Sequence, residues 1–291
     1  MRVLDSHLHL WDPSRLDYDW LEGPLARAYG AAELATAERG DAAAGEQSAG
    51  SIFVQAECVE AQFLDEVRWV AAHAAETGVR GIVAGARLDR GEETLDHLDA
   101  LGGFPEVVGV RHLLQDAPAG TALSEEFLRG ARALAGRGLR FDVCVRARQL
   151  PEIVALADAV PALPLVIDHL GKPVIGSSHE PRRPDPAWRR ALHELAGHRQ
   201  VVVKLSGLPA ESDGAWTDEQ VAPFLDAAAE EFGEDRLLWG SDWPVSAIAA
   251  GRYRTGGRAA WLSTVATWAE HRGVDADAVL WRNAARFYGL D

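Results

Sequence analysis

Two histidines one residue apart, His7 and His9, stand in the run Val3-Leu4-Asp5-Ser6-His7-Leu8-His9-Leu10 near the start of the chain. The apolar residues around them are those of a buried strand, and residues two apart on a strand share a face. His7 and His9 are therefore expected to project together from one strand end, as half of a metal or acid–base site. Arg111 and His112, His169, Ser206 and Asp242 each close a later apolar segment. His7, His9, His169 and Asp242 together offer three imidazoles and one carboxylate, a set that a divalent cation such as zinc accepts. Asp242 could equally take a proton from water as a general base. No nucleophilic serine or cysteine scheme has a matching motif: Gly-x-Ser-x-Gly is absent, and neither Cys58 nor Cys144 is expected to end a strand.

Eight apolar segments read as strands, at residues 3–10, 51–56, 79–88, 107–113, 139–145, 163–169, 201–206 and 236–242. Helical spacing or capping follows each, at 31–44, 60–77, 92–101, 124–135, 152–160, 187–196, 217–232 and 259–271, with a last helix at 275–288. Ser124 is a good N-cap and Gly78 a plausible C-terminal stop. Sequential β–α alternation implies a parallel sheet with right-handed crossovers. Eight such units predict an α/β chain folded as a single (β/α)8 TIM-type barrel over residues 1–291, with its active site at the C-terminal ends of the strands. A doubly wound sheet is disfavoured because no Gly-x-Gly-x-x-Gly follows the first strand.

On this frame Lys204 and Asp142 are expected to be inward pocket residues, with a buried ion pair between them as the alternative. Asp168 is expected to point away from His169, in a structural role. The loop at 11–23 is rich in aromatic and acidic residues, and with the loop at 174–186 it is the expected specificity region. His73, His97, His193, His198 and His271 fall on predicted helices and read as structural.

Lys plus Arg total 29 against 44 Asp plus Glu, a formal charge of −15. That balance argues against nucleic acid or an anionic membrane as partner and leaves a small molecule. Two cysteines in no paired motif fit a reducing compartment. No leader-like segment opens the chain and no apolar run is long enough to span a bilayer, so a cytoplasmic protein is expected. A homodimer is a common habit of such barrels.

Several blocks together carry a resemblance. Asp5-Ser6-His7-Leu8-His9-Leu10-Trp11-Asp12-Pro13 resembles the opening of the amidohydrolase superfamily, in its amidohydrolase-related branch of lactonases. Gly109-Val110-Arg111-His112, Ile167-Asp168-His169-Leu170-Gly171-Lys172-Pro173, Lys204-Leu205-Ser206-Gly207, Gly240-Ser241-Asp242-Trp243-Pro244 and Asn283-Ala284-Ala285-Arg286-Phe287-Tyr288 are similar to its later blocks, in order. The branch includes fuconolactonases, rhamnonolactonases and 2-pyrone-4,6-dicarboxylate lactonase. The resemblance implies a hydrolase that opens a small lactone, either a sugar aldonolactone or a carboxylated lactone. Asp242 would activate water, and His7, His9 and His169 would polarise the carbonyl directly or through one divalent cation, zinc before others. Arg111, His112 and Lys204 would bind substrate, and Trp11, Tyr18, Trp20 and Trp243 would wall the pocket. Binuclear relatives use a carboxylated lysine on the fourth strand and a histidine on the fifth. Here Arg111-His112 and Asp142 stand instead, so the resemblance implies at most one cation, or metal-independent catalysis. A metal-dependent decarboxylase and a catalytically silent binding barrel are the alternatives.

Overall fold

The computed structural model describes residues 1–42, 47–213, 215–249 and 257–290. Eight strands form one sheet in sequential order: β1 Arg2–Leu8, β2 Gln47–Val54, β3 Val79–Gly85, β4 Val107–Leu113, β5 Arg140–Cys144, β6 Leu165–Ile167, β7 Val201–Leu205 and β8 Leu237–Trp239. Every adjacent pair is parallel. The circuit returns to β1 just beyond β8, where the His9 N–H donates to the Trp243 carbonyl and the Asp242 N–H to the His7 carbonyl, both at 2.8 Å. The result is a (β/α)8 barrel.

The helices are α1 Ala31–Ala42, α2 Phe63–Thr77, α3 Glu92–Leu101, α4 Glu125–Gly136, α5 Leu150–Ala159, α6 Pro186–Ala196, α7 Asp218–Phe232, α8 Val245–Ala249, α9 Gly257–Arg272 and α10 Asn283–Tyr288. The Ser124 hydroxyl caps α4 by accepting the Phe127 N–H at 3.3 Å, and Thr217 caps α7 by accepting the Gln220 N–H at 3.2 Å. Gly78 ends α2 at φ 67°, the left-handed conformation expected of it. Residues 43–44, where the first helix was expected to end, lie outside the described residues. The short helix α8 was not expected; its five residues follow Pro244 directly. Among the described residues no helix is long and apolar enough to cross a membrane.

Alternation sorts β7 cleanly. Val201, Val203 and Leu205 belong to the apolar layer under the helices, whereas Val202 packs inside the barrel with Leu4, Ile52, Val54, Val83, Val166 and Leu238. Tyr288 of α10 joins that interior cluster and closes it. Several strands stop earlier than the sequence reading had them: β1 at Leu8 rather than residue 10, β3 at Gly85 rather than 88, β6 at Ile167 rather than 169, and β8 at Trp239 rather than 242; β5 stops at residue 144 rather than 145, so Cys144, against expectation, does end a strand. The cause at two of these ends is local. His169 and Asp242 take left-handed backbone at φ 54° and 52°, which no ladder accommodates.

Candidate active site

Four side chains meet at the C-terminal mouth of the barrel. The Asp242 Oδ1 atom lies 3.7 Å from His7 Nε2, 3.4 Å from His9 Nε2 and 3.8 Å from His169 Nε2. The Nε2 atoms of His7 and His9 are 3.1 Å apart. All four residues are buried. Each is oriented by a second contact. His9 Nδ1 lies 2.7 Å from the Val54 carbonyl. A carbonyl only accepts, so Nδ1 carries the hydrogen and Nε2 presents a lone pair to the centre. His169 Nδ1 is 2.9 Å from the Ser206 hydroxyl. His7 Nδ1 is 3.2 Å from Asp168 Oδ1 and 3.1 Å from Lys204 Nζ. The Ser246 hydroxyl, on α8, donates to Asp242 Oδ2 at 2.7 Å. Asp5 of β1 ties the two chain ends of the site together, accepting the N–H of His7 at 3.1 Å and of Ser241 at 2.9 Å.

Two glycines let these parts approach. A Cβ on Gly207, whose φ is +68°, would fall 2.3 Å from His169 Nδ1, and a Cβ on Gly240 would fall 2.7 Å from the His7 Cβ. Left-handed backbone at the non-glycine residues His169 and Asp242 is strained, and such strain concentrates at functional positions.

Burial sets the protonation pattern. It pushes the His169 imidazole down to about 4, and burial together with the Lys204 charge holds His7 well below its ordinary value. Burial alone would raise the Asp242 carboxyl, but His169, His9 and His7 outweigh it and keep that carboxyl far below the usual carboxylate range. The centre at neutral pH is therefore an ionised carboxylate facing neutral His7 and His169 rings.

Beneath it sits a charged layer that the sequence reading misassigned. Lys204 is fully buried and does not reach the pocket. Its ammonium pairs closely with Asp142 and lies 3.1 Å from Asp168 Oδ1. Burial opposes its charge, yet the two carboxylates raise its pKa above the ordinary lysine value. Asp168 likewise turns inward, onto His7 and Lys204, rather than away from the site. Tyr288 closes the layer from below, its hydroxyl donating to Asp142 at 2.9 Å.

Above the four side chains opens a cavity of about 610 Å³. Of the expected substrate-binding residues, Arg111, His112 and Trp20 line it. Arg111 Nη2 donates to the Gln55 carbonyl at 2.6 Å, and its Nε has no partner among the described residues. His112 accepts the Leu88 N–H on Nδ1 at 3.2 Å; burial, then the charge of Arg87, pushes its ring down to about 4. The Trp20 indole donates to the Ala56 carbonyl at 2.8 Å.

Three other aromatic residues are corrected, because none of them lines the cavity. The Trp11 indole is buried in its own loop, donating to the Arg27 carbonyl at 2.8 Å. Tyr18 packs on Leu16, Cys58 and Phe63. Trp243 stacks edge-on with Tyr29 at 5.6 Å. Only Trp20 from the 11–23 loop and nothing from 174–186 reaches the cavity. The wall comes instead from residues the sequence reading did not single out: Glu57, Arg87, Gln115, Lys172, Glu211 and Val245. Each lies two to six residues past a strand end or on α8; that position was the available signal.

The donor set fits a cation. His7, His169 and Asp242 present ligand atoms within 4.8 Å of one another, and His9 Nε2 joins them. The Nε2 atoms of His7 and His9, 3.1 Å apart, both face Asp242 Oδ1, as ligand atoms around one ion would. Ligand atoms of a tetrahedral zinc site, at about 2.0–2.2 Å from the metal, stand about 3.2–3.6 Å apart, close to the spacings here.

A family model described as Amidohydrolase matches residues 4–290. An L-fucono-1,5-lactonase of Burkholderia multivorans is 34% identical over 99% of this chain and 96% of its own length. Another from Burkholderia ambifaria is 32% identical with the same coverage, 99% and 96%. The crystal structure of an amidohydrolase from Burkholderia multivorans with bound zinc superposes with a TM-score of 0.83 at 32% identity, covering 99% of both chains. The order of the strands, the four side chains at the barrel mouth and these likenesses lead to one conclusion: the chain belongs to the amidohydrolase family.

Proposed function

We propose that this protein is a hydrolase that opens a small lactone to its hydroxy acid. The observation that carries the reading is an ionised carboxylate, Asp242, ringed by three imidazoles on the floor of a cavity of about 610 Å³. The likeness to L-fucono-1,5-lactonases over nearly the whole chain supports it. Asp242 takes a proton from water as the water oxygen attacks the lactone carbonyl carbon. The ring C–O bond then breaks, and Asp242 returns the proton to the leaving ring oxygen. Ser246 holds the other carboxylate oxygen and fixes the direction from which Asp242 acts. Arg111, anchored on the Gln55 carbonyl, presents its guanidinium edge to a polar group of the substrate. His9 has its hydrogen committed to Val54, so in its neutral form it has none to offer the carbonyl oxygen from Nε2. His7, His9, His169 and Asp242 would hold a divalent cation, which supplies the Lewis acidity these rings lack. Both cysteines are buried and free, in keeping with a reducing cytoplasm.

The test is a proton-release screen over aldonolactones and carboxylated lactones, on chelator-treated protein and again with zinc or manganese restored. Lactone opening that falls on chelation and returns with about one equivalent of metal is expected. Folded protein that opens no lactone under any condition, or that releases carbon dioxide from an aromatic acid instead, overturns the reading.

A further inference from the structure

Two ion pairs on the cavity wall are unused by the reaction as proposed. Glu57, three residues past β2, lies 3.6 Å from Arg87, just past β3. Lys172, past β6, lies 3.9 Å from Glu211, past β7. The two pairs are four strands apart in an eight-stranded barrel, so they stand on opposite sides of the mouth with Asp242 on the floor between them. All four side chains are half-buried, and neither carboxylate accepts a hydrogen bond among the described residues. Lys172 also donates to the Gln115 side chain at 2.6 Å.

The backbone commits to this arrangement. Glu57 and Lys172 are both left-handed, at φ 55° and 51°. Glu57 is held there by its own N–H, which donates to the Gln55 side-chain oxygen at 2.5 Å. Glycine would relieve the strain at both positions, and long charged side chains stand there instead.

A carboxylate only accepts hydrogen bonds and an ammonium or guanidinium only donates, whereas a sugar hydroxyl does both. A carboxylate beside a cation therefore matches neighbouring hydroxyls, taking a hydrogen from one and giving one to the next. We propose that Glu57 with Arg87, and Glu211 with Lys172, are specificity-determining pairs that grip hydroxyls at opposite ends of an uncharged, polyhydroxylated lactone. This inference rests on the lactonase reading and selects within it. The cavity lining carries Arg87, Arg111 and Lys172 against Glu57, Asp116, Glu211 and Asp242, so its side chains hold no surplus positive charge for a carboxylated lactone.

The experiment compares KM for hydroxylated 1,4- and 1,5-aldonolactones with KM for the unsubstituted ring, δ-valerolactone, in wild type, Glu57→Gln and Glu211→Gln. Loss of a charge-assisted hydrogen bond should raise KM for the hydroxylated lactones about tenfold or more and leave δ-valerolactone within about twofold. Glu57→Ala and Glu211→Ala supply the same comparison should a glutamine variant fail to fold. Equal effects on both kinds of substrate, no effect on either, or a wild type that prefers carboxylated lactones would overturn the proposal while leaving the lactonase reading intact. A wild type that opens no lactone at all would remove both.

Discussion

Replacing Lys204 by methionine separates a substrate ligand from a buried counter-ion. The ammonium is fully buried, in close contact with Asp142 and 3.1 Å from Asp168. At an effective dielectric of about 20, a pair at that distance attracts by about 5 kcal/mol. Methionine also removes the cost of burying the lysine charge, so the net loss is smaller. Breaking a buried pair on one side costs about 3–5 kcal/mol, because the partner charge is left uncompensated. For a chain of this size each kcal/mol is worth about 2–4 °C, so the melting temperature should fall by at least about 6 °C near neutral pH. The sign of the pH dependence is fixed as well. Burial already pushes Asp142 up to about 6 with the cation in place, and losing the cation should move both Asp142 and Asp168 upward. The penalty is then present at high pH and shrinks as pH falls through those raised values, because a protonated carboxyl needs no counter-ion. Thermal unfolding of wild type and Lys204→Met at pH 8 and pH 5 should show a gap that narrows in acid, with KM of the folded variant within about twofold of wild type. A variant that melts with wild type and binds substrate tenfold more weakly would put Lys204 back in the pocket.

Three further outcomes follow from the same geometry. Asp242→Asn should lower kcat about 100-fold or more with little change in KM, and near wild-type turnover would exclude it as the base. Arg111→Met should raise KM, by about 2–5 kcal/mol of lost binding, with the melting temperature preserved; a large drop in melting temperature with unchanged KM would make it a bolt on the Gln55 carbonyl. Gly207→Ala should cost about 1–3 kcal/mol of stability and at least about tenfold in kcat, since its Cβ would stand 2.3 Å from His169 Nδ1 at a φ of +68°. Unchanged kinetics and melting in that variant would mean that the ring position does not matter.

The sequence by itself determined the barrel and the centre of the site. Eight apolar segments alternating with helical ones leave little choice of topology, because parallel strands need crossovers and right-handed crossovers close. His7, His9, His169 and Asp242 were legible because a polar residue ending an apolar strand has few reasons to be there. Tertiary structure alone decided the rest. A period of two says which residues share a face, but not which face looks along the barrel axis. Lys204 and Asp168 therefore read as a pocket residue and an outward one, when both belong to a layer beneath the site. At the strand ends even that period fails: His169 and Asp242 turn left-handed, so their direction follows from packing against Gly207 and the β8–β1 junction. Aromatic content misled in the same way. Trp11, Tyr18 and Trp243 look like pocket walls in sequence, yet their large apolar surfaces are spent packing the loops over the barrel rim. Glu57, Arg87, Lys172 and Glu211 are ordinary charged loop residues until the circular order of the strands sets the two pairs across from each other.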